Sequence, residues 1–125
     1  MLLAGSGVEH VFLAPGARSQ SLAIAAAQLA DAKKLELHVH LDERSLGFTA
    51  LGAALATGEA TALITTSGTA VANLHPAVLE AHHSGVPLLL LTADRPHELR
   101  GVGANQTTEQ VGIFGDAVRV CCDVE

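Results

Sequence analysis

The sequence contains no tryptophan or tyrosine, and its aromatics are three phenylalanines, Phe12, Phe48 and Phe114. Positive charge is also scarce. Seven Lys and Arg stand against 13 Asp and Glu, a net charge of −6, which excludes a bulk basic surface for nucleic acid because counterion release needs clustered cations. No apolar run reaches the ~18–20 residues of a membrane span; the longest, Val86–Thr92, is strand-sized. Residues Met1–Gly7 lack the basic start, the full apolar stretch and the cleavage site of a secretory signal. The two cysteines, Cys121 and Cys122, are adjacent. Neighbouring strand side chains point to opposite faces, so a disulfide between them is sterically poor, and a reducing, cytoplasmic setting is expected.

What the sequence has is apolar bulk: 49 per cent of 125 residues, enough for one domain with a real core and no need of a staple. Short β-type runs alternate with Ala/Leu-rich segments. Strands are expected at Glu9–Ala14, Leu35–Leu41, Thr61–Thr66, Val86–Thr92 and Ala117–Cys122. Helices are expected at Ser19–Ala32 with Ser19 as N-cap, at Glu43–Thr57 ending near Gly58, at Thr69–His83 ending at Gly85, and briefly near Thr108–Phe114. This alternation predicts an α/β, three-layer domain with a mostly parallel sheet covered by helices on both faces. Val86–Leu91 is apolar enough to suit a central strand. The opening apolar residues, 1–4, read as the tail of a helix, and the end at Asp123-Val-Glu125 has no closing helix. The whole reads as a piece of a longer protein.

In such a sheet, ligands sit where strands hand over to helices. The unusual residues fall there: Pro15-Gly-Ala-Arg18-Ser19, Asp42-Glu43-Arg44-Ser45, Thr65-Thr-Ser-Gly68-Thr69, Thr92-Ala-Asp94-Arg95-Pro96 and Gly103-Ala-Asn105-Gln106. Three of the seven cations, Arg18, Arg44 and Arg95, lie on these crest loops. Each alone is explained by capping a loop carbonyl or pairing with Asp42 or Asp94. Together on one rim they point to a carboxylate-bearing small molecule. Glu43 is either a solvated first-turn acid or a carboxyl set against an apolar wall, its pKa raised, sharing a proton with a ring nitrogen.

Other chemistries find little support. His38 and His40 share a strand face but lack a third ligand, so ordinary strand histidines are the better reading and no metal ligand is assigned. Ser67-Gly68-Thr69 offers backbone N–H groups to a phosphate, but neither Gly-x-x-x-x-Gly-Lys nor Gly-x-Gly-x-x-Gly is present. Ser67 lacks a Gly-x-Ser-x-Gly elbow, and the cysteines lack Cys-x-x-Cys spacing.

Five segments occur in one order: Ala14-Pro-Gly-Ala-Arg-Ser19, Leu41-Asp-Glu-Arg-Ser45, Thr66-Ser-Gly-Thr-Ala-Val-Ala-Asn73, Leu91-Thr-Ala-Asp-Arg-Pro96 and Gly103-Ala-Asn-Gln106. From Val8 to about Arg119 the chain thereby resembles the N-terminal, pyrimidine-binding domain of the 2-succinyl-5-enolpyruvyl-6-hydroxy-3-cyclohexene-1-carboxylate (SEPHCHC) synthases, thiamine-diphosphate enzymes of menaquinone biosynthesis. The resemblance implies that Glu43 is the activating glutamate, bonded to N1′ of the cofactor's aminopyrimidine, with Thr69 and Asn73 beside that ring. It implies substrate-binding roles for Arg18, Ser19, Arg95, Asn105 and Gln106. The implied reaction decarboxylates 2-oxoglutarate and adds the remaining four-carbon unit to isochorismate. Mg²⁺ or Mn²⁺ and the diphosphate belong, in that family, to a C-terminal domain with a Gly-Asp-Gly…Asn run that this sequence does not contain, and the active site forms between subunits of a homo-oligomer, a dimer or tetramer. Ala17 stands where the family usually has Ser, which removes one hydroxyl donor that Ser19 or water would have to replace.

Such a piece is expected to be inactive alone and to expose apolar area on parts of Leu46–Leu55 and Val71–Leu79. Three other readings stay open: another thiamine-diphosphate enzyme, a non-catalytic module binding a small carboxylate through Arg18 and Arg95, and a metal hydrolase using His38 and His40.

Overall fold

A computed structural model describes residues 5–124; the helix tail expected at residues 1–4 lies outside them. Four strands form one parallel sheet: β1 (His10–Leu13), β2 (Glu36–Val39), β3 (Thr61–Thr65) and β4 (Leu88–Thr92), in the order β2-β1-β3-β4. Four helices accompany them: α1 (Gln20–Asp31), α2 (Glu43–Thr57), α3 (Thr69–Ala72) and α4 (His75–Ser84). Side-chain alternation splits the core into two. Val11, Leu13, Ala62 and Ile64 face α1 and pack with Ala26 and Leu22. Phe12 and Leu63 face the other way, onto Leu46 and Ala50 of α2, Leu74 at the N-cap of α4 and Val78 within it. Helices therefore cover both faces, and the expected three-layer α/β architecture is what the chain adopts.

Several local expectations give way. The helix read over Thr69–His83 divides after Ala72, because Pro76 in the first turn of α4 has no N–H for the ladder. Ser19 stands at the N-cap of α1 but makes no capping bond; its hydroxyl donates to the Gly16 carbonyl at 3.1 Å. No helix forms over Thr108–Phe114. Gly112 and Gly115 are both at positive φ, and the segment closes as successive turns ending in a 3₁₀ turn at Gly115–Ala117. Ala117–Cys122 joins no ladder, although Val118 is extended. β4 is consequently an edge strand rather than a central one, with Leu89 40% exposed. Its apolarity states a demand for burial, not which strand meets it. Between β4, α4 and residues 112–122 lies a groove of about 530 Å³, lined by Val78, Leu88, Leu90, Phe114 and Val118.

Gly58 and Gly85 close α2 and α4, as expected, in left-handed conformation. The large apolar side chains exposed on α2 and α4 are Phe48, Leu55 and Leu79, within the stretches expected to show apolar area, while Leu46, Leu51, Val71, Leu74 and Val78 are buried. No helix among the described residues is long and apolar enough to cross a membrane.

Candidate active site

Parallel strands bring their carboxyl ends to one crest, and the loops after β1, β3 and β4 meet there. Two close approaches build it. A Cβ on Gly16 would stand 2.4 Å from that of Thr66, so the β1 and β3 loops touch only because residue 16 has no side chain. Gly68, at φ +76°, leaves room for the backbone of Gln106, 3.1 Å from where a Cβ would sit. The 105–110 loop then lies over the end of β3. Ser67 Oγ donates to the Gln106 carbonyl at 2.9 Å, and Gln106 Nε2 returns a bond to the Ser67 carbonyl at 3.1 Å. Gln106 itself is held at φ +53°, a conformation non-glycine residues rarely adopt.

Four of the residues assigned to substrate converge on this loop. Arg18 donates from Nη1 to Gln106 Oε1 and from Nη2 to the Asn105 carbonyl, both at 3.1 Å. Arg95 reaches the same Asn105 oxygen from Nη2 at 2.6 Å and from Nε at 3.2 Å. Two guanidinium groups thus share one neutral oxygen, and neither pairs with a carboxylate among the described residues. Each caps a loop carbonyl, as the simplest reading of a lone Arg held, but they do so together. Arg18 Nε and the hydroxyls of Thr65 and Thr66 are buried with no hydrogen-bond partner among the described residues, and buried polar groups left so are costly.

Ser19 is buried and its hydroxyl is committed to Gly16. Thr69 and Asn73 are exposed at either end of the short helix α3; the Asn73 amide donates to the Thr69 carbonyl at 3.0 Å. Glu43 is the first residue of α2. It is half-buried and makes no hydrogen bond or ion pair among the described residues. The cap beside it is Asp42, whose Oδ1 accepts from the Ser45 backbone N–H at 2.7 Å. That bond, with help from the Ser45 hydroxyl and the Arg44 charge, holds the Asp42 carboxyl below its usual range. Arg44 is exposed and is not drawn into the Arg18–Arg95 cluster.

Two participants escaped the sequence. Gln110, buried, accepts from Gly68 N–H at 3.1 Å and donates to the Ala93 carbonyl at 2.8 Å, tying the β3 and β4 loops together. Arg100, not Arg95, pairs with Asp94 at 3.2 Å, and it also bonds Asp123 at 2.7 Å. The Asp123 carboxyl is held down by that hydrogen bond and charge, and the Arg100 guanidinium is pushed up by it. No motif marks either residue; both act across tertiary contacts. His38 and His40 do not form a pair: His38 stacks on Phe12 at 4.7 Å and faces His10.

Residues 1–113 match the model of the family described as thiamine pyrophosphate enzyme, N-terminal TPP binding domain. The chain belongs to this family. Among curated proteins, the TPP-binding domain described here is 60% identical over 122 residues to the 2-succinyl-5-enolpyruvyl-6-hydroxy-3-cyclohexene-1-carboxylate synthase of Leifsonia xyli subsp. xyli, covering 98% of this chain and 21% of that protein. Against the protein of the same name from Kineococcus radiotolerans, it is 63% identical over 119 residues, 94% of this chain and 21% of the relative. The like-named protein of Haloarcula marismortui is 59% identical over 117 residues, 94% of this chain and 19% of its own length. The chain therefore spans about a fifth of the length of these relatives.

Proposed function

We propose that this chain is the pyrimidine-binding part of a SEPHCHC synthase, which takes 2-oxoglutarate, releases carbon dioxide and joins the remaining four-carbon unit to isochorismate. The observation that carries the reading is the Arg18–Arg95 cluster: two guanidiniums at one crest with no carboxylate among the described residues to neutralise them. Such a pair suits a substrate bearing carboxylates. The identity to named synthases over nearly the whole chain supports the same choice.

Thiamine diphosphate, when bound, supplies the electron sink for decarboxylation and carbon–carbon bond formation. The residues present fit its pyrimidine half. Glu43 offers a half-buried carboxylate that no group among the described residues claims, suited to share a proton with the ring nitrogen N1′. Thr69 and Asn73 line the approach to that ring. Arg18 and Arg95 bind the carboxylates of the isochorismate-derived substrate, while Asn105 and Gln106 set their direction; Ser19 holds the loop through Gly16. The diphosphate and its Mg²⁺ or Mn²⁺ fall to a second domain, carried in the homo-oligomer by a partner subunit. The two free, exposed cysteines suit a reducing, cytoplasmic setting.

The test is Glu43→Gln in the protein complete with its diphosphate-binding half. Thiazolium C2–H exchange, followed by NMR, should fall by roughly 10²–10⁴-fold, the range for losing a positioned acid–base group. A metabolite-binding module would keep its affinity for isochorismate and would show no exchange to lose. The 125-residue chain alone should form no SEPHCHC.

A further inference from the structure

We propose that His10, Glu36 and His38 form a binding site for a divalent transition-metal ion of the zinc type, separate from the crest and independent of the function proposed above. The site follows from the register of β1 on β2. His10 lies opposite Glu36, and Phe12 opposite His38. Alternation then turns His10, Glu36 and His38 to one face of the sheet, with His10 and Glu36 opening their strands at the end opposite the crest.

Three ligand atoms converge there. His10 Nδ1 is 3.2 Å from His38 Nε2, and Glu36 Oε2 is 3.6 Å from the first and 3.8 Å from the second. A point equidistant from all three lies about 2.1 Å from each, within the ~2.0–2.2 Å of zinc–imidazole and zinc–carboxylate bonds. The two ring nitrogens are within hydrogen-bond distance and can share a single proton, while the Glu36 oxygen lies in ion-pair range of both but beyond hydrogen-bond reach. Two imidazoles and one carboxylate are a donor set for zinc and its neighbours rather than for magnesium or calcium. Among the described residues no other group of three potential ligands comes this close. His38 is held in place by its stack on Phe12, 4.7 Å between ring centroids, and His10 is half-buried, so the ligands are preset. Glu36 is exposed, which leaves the remaining coordination positions to solvent. A bound ion would clip the edge strand β2 to its neighbour.

The test uses the untagged chain, stripped with chelator and titrated with Zn²⁺ by calorimetry. We expect one ion per chain at micromolar affinity, with a Tm that climbs as Zn²⁺ is raised. His10→Gln and His38→Gln should each weaken binding roughly tenfold or more, and Glu36→Gln several-fold. Replacing the adjacent pair His82 and His83 on α4 with Gln should change nothing. No uptake at millimolar Zn²⁺, undiminished affinity in His10→Gln, or loss in the His82/His83 variant would each overturn the site. Where circular dichroism shows that a histidine variant is unfolded, Co²⁺ decides in its place. The native chain should develop a visible ligand-field band that Glu36→Gln alters, and a colourless native chain or an unaltered band rejects the proposal.

Discussion

Arg100 and the Arg18–Arg95 pair are guanidinium groups that all bond loop carbonyls near one end of the sheet, yet they are used in opposite ways. Arg100 is neutralised by two carboxylates, Asp94 and Asp123, and also donates to the Arg95 carbonyl at 2.8 Å. Among the described residues, Arg18 and Arg95 meet only neutral acceptors, the Asn105 carbonyl and the Gln106 amide. A cation that is already paired has nothing left for a ligand; two adjacent cations sharing one neutral oxygen repel each other until an anion arrives. On the reading proposed above, positive charge at a crest marks a site where the protein withholds its own counter-ion.

The sharpest test of this contrast is Arg95→Ala or Arg18→Ala in the complete enzyme. Loss of a charge-assisted bond of about 2–3 kcal/mol should raise KM for the carboxylated acceptor roughly 30–160-fold, with Tm little changed. Arg100→Ala should do the reverse. Asp94 and Asp123 are left without their cation, Tm should fall by several degrees, and KM should hold. Equal effects from the two changes would erase the distinction. Gly68→Ala comes next: a left-handed φ and the Gln106 backbone at 3.1 Å should cost about 1–3 kcal/mol and loosen the loop on which Arg18 and Arg95 rest, seen as raised hydrogen exchange over residues 104–110. The smallest effect is acid sensitivity. Asp42 and Asp123 have carboxyl pKa values below their ordinary ones, so the stability they give is complete above about pH 4 and is lost as the pH falls through their depressed values. Asp42→Asn should flatten the acid limb of a Tm-against-pH curve.

Much of this was legible in the chain. Strand–helix alternation gave the parallel three-layer sheet, and Gly58 and Gly85 close helices as expected, whereas the capping side chain proved to be Asp42 and not Ser19. Residues 18, 95, 105 and 106, more than 80 positions apart at the extremes, come together because crest loops of a parallel sheet must. What was not legible depends on partners. Ala117–Cys122 has the pattern of a strand, but pattern does not supply a neighbour. Gln110 carries no motif; its value lies in reaching Gly68 and Ala93 at once. His38 was paired with His40 on strand spacing alone, whereas inter-strand register puts His10 and Glu36 beside it.

The Asn105 carbonyl has one more consequence. Because it already takes up N–H donors of both arginines, a carboxylate binding as proposed above would not add bonds to an empty cradle but would evict an oxygen that held them. The net gain is the difference between a full negative charge and a carbonyl dipole, so an amide or ester copy of the substrate, equal in shape and in acceptor count, has no advantage over the incumbent and should be turned away.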